Sequence, residues 1–177
     1  MAYADPADDA TAVGGNELPR SSDPELDLLR ATWSTTADEL VVTTVLTALG
    51  EPVASDGWAV AHYLEYEGIP FEVLVQDVGT ATSTAIGPDG VYLRVAGDSS
   101  TEYPCVCRLS ADVERATMTV RVELHSLGSA AKFVDPRLPR PSPGSRFTEL
   151  HSISYRVAGF LLAADKAFAP EGAAVVV

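Results

Sequence analysis

The chain reads as an all-β protein: an antiparallel two-sheet β-sandwich, jelly-roll or Ig-like, with at most one short helix. Three observations predict this. Thr117 to Leu124 alternates without a break, with Met118, Val120, Val122 and Leu124 on one face and Thr117, Thr119, Arg121 and Glu123 on the other. That is a strand with one face buried and one wet. Similar runs recur every 8–12 residues or so, separated by Gly, Pro and Asp turns. No stretch carries the 3.6-residue period of a long amphipathic helix.

Taken in order, residues 1–25 form an acidic N-terminal arm or loop, rich in Asp, Gly and Pro. Residues 26–177 form a single sandwich domain. Its first strand covers Leu26 to Thr35 and turns through Thr35-Thr36-Ala37-Asp38. The next runs from Leu40 to Thr47 with Val or Thr on both faces, which places it centrally in a sheet. A second hairpin pairs Trp58–Glu67 with Ile69–Val78 across Glu67-Gly68. Gly87-Pro88-Asp89-Gly90 separates Thr82–Ile86 from Val91–Val95. Tyr103–Leu109 is a short strand. Ala130–Arg146 holds four prolines and reads as a long loop, a kind often functional. Thr148–Val157 resumes alternation, Phe160–Phe168 fits one or two turns of helix, and Val175–Val177 is a last strand. The predicted core takes Val42, Leu46, Val60, Leu64, Val73, Val75, Met118, Val120, Val122 and Leu124.

Composition excludes some functions. With 177 residues, of which 46% are hydrophobic, the chain can bury a sizeable core. Twelve Lys+Arg against 25 Asp+Glu give a net charge of −13. That charge opposes binding to nucleic acid or to an anionic membrane surface. The longest apolar stretches fall far short of the roughly 20 residues of a spanning helix, so no membrane insertion is expected. The start lacks a basic n-region and an apolar h-region, which reads as a cytosolic chain or as a mature or trimmed form.

Cys105 and Cys107 are the two cysteines. In an extended strand, residues two apart lie roughly 7 Å apart. A disulfide wants Cβ atoms about 4 Å apart, so an internal bridge is not expected if the segment is extended, and inter-chain pairing stays open. Two thiolates alone do not make a zinc site.

Several motifs together carry a resemblance. Asp5-Pro6-Ala7-Asp8-Asp9-Ala10 is followed by Leu26-Asp27-Leu28, a Thr-rich strand closing on Leu49, and the aromatic hairpin Tyr63 to Phe71. Val120-x-Val122 with Leu124, Leu127-Gly128 and Pro143-Gly144-Ser145 come later. From Asp5 to about Asp165 this layout resembles the β-sandwich accessory domains attached to secreted actinobacterial proteins, some subtilisin-like proteases among them. Those domains look related to DOMON and family 9 carbohydrate-binding sandwiches. The resemblance implies an extracellular or cell-surface, non-catalytic module and names no ligand. Asp8 stands where the family form usually has Gly.

The residues themselves offer little catalytic chemistry. No Gly-x-Ser-x-Gly, phosphate loop or dinucleotide fingerprint occurs. His62 shares a face with Trp58, Val60, Leu64 and Tyr66 and reads as a core histidine. His125 and His151 read as solvated residues at strand ends. Ser126 and Ser152 directly follow histidines, but strand neighbours point to opposite faces, so neither sequential pair is a nucleophile and its base. No enzyme activity is expected.

Carboxylates at Asp5, Asp8, Asp9 and Asp27 form a candidate calcium site, because calcium takes six to eight oxygens. A solvated acidic arm is the ordinary reading of them and ranks ahead of calcium, and no cofactor is required. Among the aromatics Trp33, Trp58, Tyr63, Tyr66, Tyr92 and Tyr103, Tyr63 lies on the wetter face of its strand. Tyr63 and Glu65 are therefore the candidate ligand-binding residues, with Ala130–Arg146 beside them as contact surface. The expected partner is a polysaccharide or a protein surface. Two functions follow: a binding or accessory module for carbohydrate or cell wall, or a structural or interaction subunit of an assembly, including a virion component.

Overall fold

A computed structural model describes residues 2–4, 11–12, 27–49, 58–76, 90–98, 100–157, 161–169 and 173–177. Thirteen strands and one helix follow one another in the described residues: β1 (Ala2–Ala4), β2 (Thr11–Ala12), β3 (Leu28–Thr35), β4 (Glu39–Leu46), β5 (Trp58–Tyr66), β6 (Ile69–Gln76), β7 (Val91–Val95), β8 (Glu102–Tyr103), β9 (Cys107–Asp112), β10 (Thr117–Glu123), α1 (Leu124–Val134), β11 (Arg146–Val157), β12 (Leu161–Phe168) and β13 (Val175–Val176). They form an all-β sandwich of two antiparallel sheets. The smaller sheet has the order β1-β3-β4-β10-β9. The larger has the order β2-β12-β11-β5-β6-β7-β8, with β13 added to β11.

Alternation sets the layers. All ten residues of the predicted core are buried in one cluster between the sheets. In the small sheet Trp33, Val42, Val120 and Leu109 stand opposite one another across four strands. Trp33 is fully buried and meets His62 of the larger sheet edge-on, ring centroids 5.9 Å apart. The strand with Val and Thr on both faces is indeed central: β4 lies third of five. Both predicted hairpins form. Thr36 closes the first, its Oγ1 accepting the Glu39 N–H at 3.0 Å. In the second, Glu67 and Gly68 both take positive φ, 52° and 78°. A two-residue loop of that kind matches the twist of the flanking strands.

Three expectations are corrected. The alternating strand ends at Glu123, and Leu124 starts α1, which reaches Val134 and shortens the supposed loop 130–146. Leu124, Leu127, Ala130 and Ala131 share its buried face. Gly128 hid the helix, since glycine is a poor helix former. A Cβ there would stand 2.8 Å from Pro141 Cδ, so the helix needs glycine to lie against the following loop. That loop is also held by the Tyr66 hydroxyl, which donates to the Pro139 carbonyl at 3.2 Å.

The second correction is Phe160–Phe168, read as helical turns. Leu161–Phe168 is a strand, paired with β11 from His151 to Val157. Pairing with a neighbour overrides a weak local preference.

The third concerns the cysteines. Cys105 and Cys107 are joined as a disulfide, with Cα atoms 5.3 Å apart. The strand begins only at Cys107, so Cys105 lies in an irregular segment rather than an extended one. The shortened separation falls within the range a bridge requires.

Candidate functional site

The outer face of the larger sheet carries a cluster of aromatic and charged side chains. Cross-strand register builds it. Phe168 of β12 stands opposite His151 of β11, His151 opposite Tyr63 of β5, and Tyr63 opposite Glu72 of β6. Glu72 in turn faces Arg94 of β7, and Arg94 faces Glu102 of β8. Directly opposed residues share a sheet face. The six side chains therefore form a single row across six strands.

The row is internally bonded. Tyr63 stacks on His151 with centroids 4.7 Å apart and planes 9° apart, and His151 stacks on Phe168 at 5.3 Å and 22°. The Tyr63 hydroxyl donates to Glu72 Oε1 at 3.0 Å. Arg94 Nη2 donates to Glu102 Oε1 at 2.6 Å, and its guanidinium lies 5.4 Å from the Tyr92 ring centroid. The Arg94 Nε is buried without a hydrogen-bond partner.

A shift in β11 aims His151. Register slips between Thr148 and His151, and Glu149 takes φ 51°, a left-handed conformation uncommon for a residue with a side chain. Bulges of this kind redirect side chains. The Glu149 carbonyl accepts a hydrogen bond from His151 Nδ1 at 3.0 Å. A carbonyl can only accept, so the proton sits on Nδ1.

Beside the row lies a second small core. Ala59, Ala61, Leu74 and Tyr92 are buried on this outer face, with Tyr63 and Tyr155 packed against them. Burial, then the nearby Glu72 carboxylate, pushes the Tyr155 hydroxyl up to about 12. Burial first and Glu72 second also raise Tyr63. Burial lowers His151 below its ordinary value and so favours the neutral ring.

Tyr63 is on this face, half-buried and bonded to Glu72. Glu65, also half-buried, lies two residues further along β5, opposite Thr148 and Pro70. Trp33, Tyr66, Tyr92 and Tyr103 are buried. The loop after α1 packs on Tyr66 and Gly128. Asp5, Asp8 and Asp9 lie outside the described residues. Asp27 is buried, and one of its carboxylate oxygens accepts a hydrogen bond from the Thr47 hydroxyl. Among the described residues no group of three or more His, Cys, Asp or Glu is placed to hold a metal ion. Phe168, His151, Glu72 and Arg94 were not singled out from sequence as ligand contacts. Alternation gives each its face, but only register brings them together.

Two other places carry reactive groups. His62 Nδ1 and Ser152 Oγ are 2.9 Å apart, the arrangement of a base and a nucleophile. Both residues are fully buried between the sheets, out of reach of a substrate. A polar cleft of about 670 Å³ lies where β4, β9 and the start of α1 meet, lined by Asp38, Glu39, Arg108, Glu123, His125 and Arg140 among others. Glu39 pairs with Arg108 within it and with Arg121 beside it. Its carboxylates and guanidiniums largely cancel.

No protein-family model and no curated protein matches the chain.

Proposed function

We propose that this chain is a non-catalytic, extracytoplasmic binding module whose ligand is a polysaccharide, held on the outer face of the larger sheet. The in-register row from Phe168 to Glu102 carries this reading. Three rings, Phe168, His151 and Tyr63, are followed there by three charged side chains, Glu72, Arg94 and Glu102, on a rigid support, which suits a ligand with hydroxyls and apolar C–H faces. Phe168 is 61% exposed, Tyr63 supplies an amphipathic ring, and Glu65 extends the polar margin. Interior strands spend their backbone groups on one another, so a face binds through side chains. Calcium at Asp5, Asp8, Asp9 and Asp27 belongs to the same proposal as a structural ion.

The test is a pull-down on insoluble polysaccharides with the intact chain and with Tyr63→Ala, Glu65→Ala and Phe168→Ala variants. Each variant should melt within a few degrees of the parent and bind at least fivefold more weakly. Undiminished binding by all three would move the contact surface elsewhere.

A second reading, an interaction subunit of an assembly, draws on a different observation. Phe133 (74% exposed), Val134 and Val106 are large apolar side chains in water, and Phe133 leans on Tyr103. Scattered apolar residues are ordinary on a surface, so this reading ranks second. Native mass measurement separates the two, since a defined oligomer favours the assembly subunit.

A further inference from the structure

We propose that the row binds a linear polysaccharide bearing free amino groups, laid across the strands so that successive sugars meet successive strands. This rests on the binding-module reading above and names the ligand class and its direction.

Direction follows from register. The row crosses six strands in five steps, each roughly 4.8 Å. It is thus about 24 Å long and perpendicular to the strands. An extended glycan advances by about one such step per sugar. A ligand lying along a strand would instead meet one end of the row only.

Ring geometry decides how contact is made. Tyr63, His151 and Phe168 are stacked on one another with nearly parallel planes. His151, between the other two, spends both faces within the stack and offers its edge, and Tyr63 spends one face on it. Ring edges are electropositive and suit hydroxyl oxygens. Phe168 at the end is mostly exposed and is the ring open to a sugar's apolar side.

Charge selects the sugar. The far half of the row holds Glu72 and Glu102 against the single Arg94, which is already bonded to Glu102. The chain carries −13 overall. A polyuronate or sulfated glycan would be repelled, whereas ammonium groups would meet Glu72. Tyr63 and Tyr155 hold their protons more tightly first because they are buried and second because of Glu72, with Arg94 acting the other way. A basic peptide shares the charge, but five of the row's six strands are paired on both sides, which leaves only the two-residue edge of β8 for strand addition.

The experiment is calorimetric titration near pH 6 with glucosamine oligomers of one to six units. Matched N-acetylated oligomers, oligogalacturonate and oligolysine complete the set. Affinity for the amino oligomers should climb with length to about five units and exceed that for the acetylated series at least tenfold. Oligogalacturonate should not bind. Glu72→Gln should abolish the amino preference, and Phe168→Ala should weaken both series, while circular dichroism and melting stay near the parent's. If both series bind equally and Phe168→Ala weakens them, the amino preference is wrong and the binding module stands. Binding independent of length overturns the direction. Oligolysine binding as tightly as the best amino sugar overturns the ligand class. If no glycan of any charge binds, the module reading itself fails.

Discussion

The two faces of the larger sheet share their strands but not their chemistry. On the inner face, His62 of β5 stands opposite Ser152 of β11, and both are fully buried. One residue along the same strands, on the outer face, Tyr63 stands opposite His151, and both are half-buried. The inner histidine has a single hydroxyl partner and a buried Nε2 with no hydrogen-bond partner. The outer one is sandwiched between two rings with its tautomer fixed by a carbonyl. Burial acts on both but differs in degree. It holds His62 down to about 3 and lowers His151 less. An exposed sheet face would be expected to be wet throughout. Here a patch of Ala59, Ala61, Leu74 and Tyr92 makes the outer face a minor core, and the aromatic row stands beside it.

The strongest way to break this comparison is to place a carboxylate on each face. Val73 points inward and Leu74 outward, and both are buried. Val73→Asp should unfold the protein. Leu74→Asp should cost more than about 3 kcal/mol in urea denaturation, because an unpaired charge is buried in either case. Thr43→Asp, on the half-exposed outer face of the smaller sheet, should cost less than about 1 kcal/mol. A Leu74→Asp protein as stable as Thr43→Asp would show that the outer cluster is not a core.

Acid should separate the two histidines next. His62 is held neutral in the folded state, while its unfolded value is near 6.5. The unfolded chain then binds the extra proton as pH falls. The contribution is complete above pH 6.5 and is lost as pH drops from there toward about 3. Between pH 6.5 and pH 4 the loss should be on the order of 3 kcal/mol. His62→Gln should flatten that limb of the stability curve, and His151→Gln should change it little. Equal acid profiles for parent and His62→Gln would contradict the buried neutral ring.

Smaller effects come from where the large sheet hands over to the small one. The Cys105–Cys107 bridge closes a three-residue loop, for which chain entropy gives only about 1.6 kcal/mol. A thiol assay on the denatured, unreduced protein should find none, and the double alanine variant should lose roughly that stability. Two thiols per chain would mean the residues are not bridged. The smallest effect expected is calcium binding at Asp5, Asp8, Asp9 and Asp27, worth about 0.4 kcal/mol when calcium equals its Kd. Melting curves that coincide in millimolar calcium and in chelator would remove the ion.

Sequence made the layers legible because alternation has a period of two and burial reads it directly. Val120 and Val122 could be assigned to the core without knowing their neighbours. Leu124 kept its burial and lost its strand: the apolar phase continued while the backbone turned into α1. Gly128 argued against helix locally, and only its contact with Pro141 explains it. Tyr63 was placed on the correct face, opposite to His62, but its half-burial depends on partners far away in sequence. His151 comes 88 residues after Tyr63, and strand order decides whether they meet. Register across strands is tertiary information, and the candidate site consists of little else.

Strand order has one more effect, on the nascent chain. In the smaller sheet Val42 of β4 pairs with Val120 of β10, and the stretch between contributes β5 to β9. At about 5–20 residues per second, translation separates these partners by several seconds. During that interval the β3–β4 hairpin exposes an apolar face and an unpaired edge that will become the middle of a sheet. A ribosome-bound chain thus leaves that edge without its partner strand until β10 emerges.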